Sequence, residues 1–139
     1  SNLGHTFGHA LEKITKYAVN HGDAISAGIV MALEFSVSEG LVEPNFKNKI
    51  VNLMRVLGLN TKVSTGINPE LLTNTMLTDK KSSNTLIRLV LIKEIARPFE
   101  HDGNYFYAVN PEKVFTFLKS FLVNENYVNE YHWEALKGK

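Results

Sequence analysis

Asn2-Leu3-Gly4-His5-Thr6-Phe7-Gly8-His9-Ala10-Leu11-Glu12, and then His21-Gly22-Asp23-Ala24 leading to Gly28, are the stretches of this 139-residue chain that carry the most information. In the first, Leu3, Phe7, Ala10 and Leu11, continued by Ile14, recur at spacings of three and four, which predicts an amphipathic helix over residues 3–15. Gly4 and Gly8 each cost such a helix about 1 kcal/mol against Ala. Glycines four apart also leave a shallow face that another backbone or a ligand can approach closely. A second helix is predicted over residues 23–39. Ala24, Ala27, Gly28, Ile29, Val30, Met31, Ala32, Leu33 and Phe35 make it apolar almost all round, which places it at the centre of the domain. Asp23 lies near its N-terminus, where negative charge is favoured, and Gly40 supplies its stop.

The rest of the chain continues in the same style. Pro44 opens a third helix that carries Phe46, Ile50, Val51, Leu53, Met54, Val56 and Leu57 and closes at Gly58. Residues 60–68, rich in Thr, Ser and Gly, read as a loop. Pro69-Glu70 starts a helix through Leu71, Leu72, Met76 and Leu77, ending near Asp79-Lys80-Lys81, and Ser82-Ser83-Asn84 is turn chemistry. Residues 86–92 read as a short strand or a buried helical turn, with 105–109 as the segment a strand there would pair with. Asn110-Pro111-Glu112 is an N-cap followed by proline at the first helical position, ahead of a helix with Val114, Phe115, Phe117, Leu118, Phe121 and Leu122. The aromatic set Phe115, Phe117, Phe121, Tyr127 and Trp133 suits a core or a face between subunits. The fold class is therefore mainly α: one multi-helical domain over residues 1–139 with at most one small β-hairpin.

Composition narrows the function. Fifteen Lys and Arg against fourteen Asp and Glu give a net charge of +1, so the chain as a whole has no electrostatic footprint for nucleic acid or an anionic membrane. The absence of Cys removes disulfides and thiolate metal sites and leaves His and carboxylates as the strong metal ligands. No apolar run reaches the roughly 20 residues needed to span a bilayer. The expectation is a soluble, cytoplasmic, globular domain without nucleic-acid or membrane partners. The chain opens without Met and inside its densest motif, which is expected of a piece of a longer protein.

Five histidines are present, three of them within the first 21 residues. His5 and His9 are four apart and share one helix face, their Cβ atoms about 5–6 Å apart. His21 lies just before the second helix, where a helical hairpin would fold it back over that face. Catalytic zinc sites typically use three protein ligands and keep one position open. By spacing, the cluster reads either as a metal site or as hydrogen-bonded structural imidazoles. A metal bound there would take its third ligand from His9, from a carboxylate such as Glu12 or Asp23, or from outside this chain. Glu12 also suits a carboxylate that orients a ligating His. His101 and His132 have no matching partners and read as surface residues.

The string from Asn2 to Glu12, with His21-Gly22-Asp23-Ala24 and Gly28, resembles the 3-dehydroquinate synthase family, whose pattern is N-[LF]-G-H-T-x-G-H-A-x-E followed by H-G-E-A-V-x-x-G-M. Met76-Leu77-Thr78-Asp79-Lys80-Lys81 looks like the family's M-x-x-D-K-K, and the likeness runs on through Ile87-Arg88-Leu89-Val90-Leu91 to about residue 122. Three departures stand out. Asp23 replaces the usual Glu, Asn84-Thr85 stands where a glycine is usual, and Ile95-Ala96 replaces Ile-Gly.

The resemblance implies a two-domain enzyme, with NAD held by an N-terminal α/β domain absent from this chain and the metal and substrate site completed by this C-terminal helical domain. By motif position, His5 and His21 would be ligands to Zn²⁺ or another divalent metal. The family's third ligand is a glutamate that would precede Ser1. His9 would be the catalytic histidine beside the substrate and its phosphate. Asn2, and Lys80 or Lys81, would contact the phosphorylated substrate. The implied reaction converts 3-deoxy-D-arabino-heptulosonate 7-phosphate of the shikimate pathway into 3-dehydroquinate and phosphate. It proceeds through NAD⁺ oxidation of a carbinol, β-elimination, re-reduction, ring opening and aldol closure. These residue types suit that work: imidazole ligands leave a bound cation to polarise a hydroxyl, another imidazole moves protons near neutral pH, and ammonium and amide groups hold phosphate oxygens. The resemblance also implies that the chain is inactive without its N-terminal domain, and it is compatible with a homodimer. Related sugar-phosphate cyclases, metal-dependent polyol dehydrogenases and a non-catalytic helical binding module are the alternatives.

Overall fold

A computed structural model describes residues 5–16, 19–63, 66–77, 87–89, 107–109, 111–124 and 126–127. Among them are five helices: α1 (His5–Ile14), α2 (His21–Ser38), α3 (Pro44–Val56), α4 (Pro69–Leu77) and α5 (Pro111–Phe121). Two three-residue strands, β1 (Ile87–Leu89) and β2 (Tyr107–Val109), pair antiparallel with Arg88 opposite Ala108. The mainly helical fold is the one the periodicity predicts, and of the two readings open for residues 86–92 the strand, paired with residues in 105–109, is the one that forms.

Helix α2 is the centre, packed against α1, α3 and α5, while α4 packs on α1 and α5. Its Ala24, Ala27, Val30, Met31, Ala32, Leu33 and Phe35 are all buried, as its nearly uniform apolarity demands. Aromatic rings run through the core in a file. Phe7 of α1 meets Phe35 of α2 edge-on at 6.5 Å, and both meet Phe117 of α5 at 6.2 and 5.3 Å. Phe121 follows at 5.5 Å from Phe117 and stacks on Tyr127, also at 5.5 Å. The T-shaped contacts put positive ring edges on negative faces, each worth about 0.5–1.5 kcal/mol beyond area burial.

The ends of the helices follow local chemistry. Gly40 and Gly58 both adopt positive φ, and each closes its helix with the paired backbone bonds of a Schellman turn: Leu41 N–H to Ser36 C=O and Leu59 N–H to Met54 C=O, both 2.9 Å. Asn68 caps α4 through bonds from the Glu70 and Leu71 amides to its Oδ1. Helix α2 begins two residues earlier than its apolar run suggests. Asn20 is the N-cap, its Oδ1 accepting from the Asp23 amide at 2.8 Å, and its Nδ2 donates to the Asp23 carboxylate at 3.1 Å. The acidic residue at this position therefore closes a reciprocal cap, and His21 becomes the first residue of the helix.

Tyr127 fastens the end of the described chain to the middle. Its carbonyl accepts from the Val63 amide at 2.8 Å, and its hydroxyl accepts from Lys47 Nζ at 3.3 Å. Lys47 also pairs with Glu34 of α2 at 2.9 Å, both side chains being largely buried. Burial pushes the Lys47 ammonium down, but Glu34 first and then Tyr127 outweigh it and hold the group above the ordinary lysine value. Arg55 adds a guanidinium 5.9 Å from the Tyr127 ring.

Candidate functional site

The site grows out of the crossing of α1 and α2. The two helices run antiparallel, since Gly8 meets Ala24 and Ile25 while Glu12 meets His21. A Cβ added at Gly8 would lie 2.9 Å from the Ala24 carbonyl oxygen and 2.9 Å from Ile25 Cδ1. Only a residue without a side chain lets the backbones come this close. The low-propensity glycine in the middle of α1 thus has its reason in the approach of α2.

One turn along, that approach brings the Glu12 carboxylate onto His21. Both carboxylate oxygens stand 3.1 Å from Nδ1 of His21. The two groups are unequally placed: the Glu12 side chain is 10% exposed and the His21 side chain 64%. An ionised carboxylate offers only acceptors, so Nδ1 carries the proton and donates it. In the neutral ring Nε2 then keeps its lone pair. His9, half-buried on α1, holds its ring 6.3 Å from that of His21, centroid to centroid.

The sequence-predicted residues divide accordingly. His9 and His21 are brought together, and Glu12 joins them. His5 is the first residue of α1, one turn before His9 along the backbone. Asn2, Lys80 and Lys81 lie outside the described residues, as do His101, His132 and Trp133. Among the described residues no group of three or more His, Asp and Glu side chains converges in a way that could hold a metal ion. The reciprocal Asn20–Asp23 cap that seats His21 at the start of α2 is missed by a reading of periodicity alone. Its signal is present in the spacing of a capping residue and an acidic residue three positions on. A cleft of about 470 Å³ between the end of α2 and α5, lined by Glu39, Lys113, Thr116 and Phe117 among others, contains none of these histidines.

Comparison with solved structures defines the fold first. The chain shares its fold with part of 2-deoxy-scyllo-inosose synthase, at a TM-score of 0.72 and 18% identity over 86% of this chain and 32% of that one. That enzyme was solved with carbaglucose-6-phosphate, NAD⁺ and Co²⁺. A second structure of 2-deoxy-scyllo-inosose synthase gives a TM-score of 0.66. The sequence then fixes the family: residues 1–82 match the model of the 3-dehydroquinate synthase C-terminal domain, and the chain belongs to that family. Its relatives include the 3-dehydroquinate synthase of Vesicomyosocius okutanii, 42% identical over 73% of this chain and 29% of that protein. The enzymes of Xanthomonas campestris and Xylella fastidiosa are 37% and 39% identical, over 69% and 68% of this chain and 28% and 27% of their own. The chain thus spans less than a third of the length of the curated relatives it matches. Among the described residues no helix is long and apolar enough to cross a membrane.

Proposed function

We propose that this chain is the helical metal- and substrate-binding domain of a cytoplasmic 3-dehydroquinate synthase. The whole protein would convert 3-deoxy-D-arabino-heptulosonate 7-phosphate to 3-dehydroquinate and phosphate, with NAD held by an N-terminal domain. The observation that carries the proposal is the His21–Glu12 pair, formed within the stretch that matches the family.

The donor chemistry of that pair fits a divalent cation. A buried carboxylate on Nδ1 leaves Nε2 as the coordinating nitrogen, the arrangement in which metal-ligating histidines are usually found. His21 and His5 would hold the metal, with the remaining ligand outside this chain. When bound, the metal polarises a substrate hydroxyl and stabilises developing negative charge, and NAD supplies the hydride chemistry. His9, beside His21, gives or takes a proton at a ring nitrogen as the phosphate leaves. Asn2 and Lys80 or Lys81 bind phosphate and hydroxyl oxygens by amide and ammonium donors.

The test is made on the full-length protein. His21→Ala should reduce zinc affinity by more than the roughly 10- to 100-fold that loss of an outer partner costs, and turnover should fall with it. A His21→Ala protein that retains zinc and turns over the substrate normally overturns the proposal.

A further inference from the structure

We infer that Glu12 is a positioning residue that fixes the tautomer and ring orientation of His21 for metal binding, at no benefit to the stability of the fold. The inference rests on the reading of His21 as a ligand and extends it to the carboxylate that faces Nδ1 of that ring.

The geometry is specific. Both Glu12 oxygens reach one nitrogen, Nδ1 of His21, each at 3.1 Å. Among the described residues this is the carboxylate's hydrogen-bond and ion-pair partner, and the side chain is 10% exposed. Burying a carboxylate is unfavourable unless it is well paired and hydrogen-bonded. A single imidazole that is itself 64% exposed is a poor return for that burial. Leu11 beside it on α1 and Thr15 just past the end of that helix are buried as well, and the Thr15 hydroxyl is turned to the Leu11 and Glu12 carbonyls rather than to the carboxylate. An apolar side chain of similar volume would suit this position better as packing. A carboxylate placed here against packing preference acts on the ring it faces. By accepting from Nδ1–H it makes Nε2 the lone-pair nitrogen of the neutral ring and restricts rotation of an imidazole that is mostly in solvent.

The experiment uses the full-length protein and Zn²⁺ alone, with affinity read by chelator competition, stability by denaturant unfolding, and the His21 tautomer of the metal-free protein by two-bond ¹⁵N–¹H correlation. Glu12→Leu should lower zinc affinity about 10- to 100-fold, leave stability unchanged or raised, and abolish the Nδ1–H tautomer preference. Glu12→Gln, which keeps a neutral acceptor at the same reach, should lose less affinity and retain the tautomer. If Glu12→Leu loses stability while affinity stays within twofold of the parent, Glu12 is a packing element and the inference is overturned. Should Glu12→Leu not fold, Glu12→Gln decides: affinity equal to the parent overturns the inference, and a several-fold loss with the tautomer retained supports it. His21→Ala in the same series separates the two levels. Lost affinity there, with none lost in the Glu12 variants, overturns the positioning role alone. Unchanged affinity overturns the ligand reading and the inference together.

Discussion

Adding one methyl group at Gly8 probes the crossing on which the site depends. The new Cβ of Gly8→Ala would stand 2.9 Å from the Ala24 carbonyl oxygen, about half an ångström inside ordinary contact at 3.4 Å. Ile25 Cδ1, also 2.9 Å away, can rotate aside, but the Ala24 oxygen is backbone and yields only if the helices part. Overpacking of this kind costs about 1–3 kcal/mol, and replacing a helical glycine returns about 1 kcal/mol. The net loss of stability is therefore expected at about 0–2 kcal/mol. The larger effect falls one turn away. Separation by half an ångström lengthens the His21–Glu12 contact from 3.1 to about 3.6 Å, beyond a hydrogen bond. Zinc affinity of the full-length protein should drop about tenfold, toward the cost of losing an outer partner. Chelator competition and urea unfolding on the same samples measure both quantities. A variant stabilised by the full helix-propensity gain of about 1 kcal/mol, with unchanged affinity, would refute the reasoning.

Two further outcomes follow from other parts of the structure. Because Lys47 is held above about 10.5 in the folded chain, its pairing with Glu34 and Tyr127 stabilises fully below that value and is lost as pH rises through the higher folded value. Unfolding followed by denaturant titration across the alkaline range should show stability declining there, and Lys47→Met should flatten that decline while costing about 1–3 kcal/mol at neutral pH, because Glu34 is left unpaired. Asn20→Ala removes the cap of α2 and should cost about 1 kcal/mol in thermal or chemical unfolding; stability equal to the parent would show that Asp23 alone suffices to start the helix.

The helices were legible because their signals are local. Pro44, Pro69 and Pro111 each open the helix they announce, and Gly40 and Gly58 close theirs at positive φ. The central place of α2 follows from its uniform apolarity, and the meeting of His9 with His21 follows from a helical pair joined by few residues. Amphipathic pattern is less informative for α3. Leu53, Val56 and Leu57 are as apolar by type as Val51 and Met54, yet Val51 and Met54 take the buried side and Val56 is 82% exposed. The Tyr127 fastening was not legible beyond its aromatic character, because no periodicity relates Val63, Lys47 and a residue more than sixty positions away. For the site, residue types and spacing pointed to Glu12 and His21. Only the helix crossing, set by Gly8, determines that Nδ1 is the nitrogen engaged.

The Glu12–His21 pair joins positions nine apart, whereas Lys47 and Tyr127 are eighty apart. Closing the short loop sacrifices far less chain entropy than closing the long one, and short-range contacts form sooner. During folding, the chemistry-bearing corner is thus expected to assemble early, from a segment of about twenty residues, before the distant ends are drawn together.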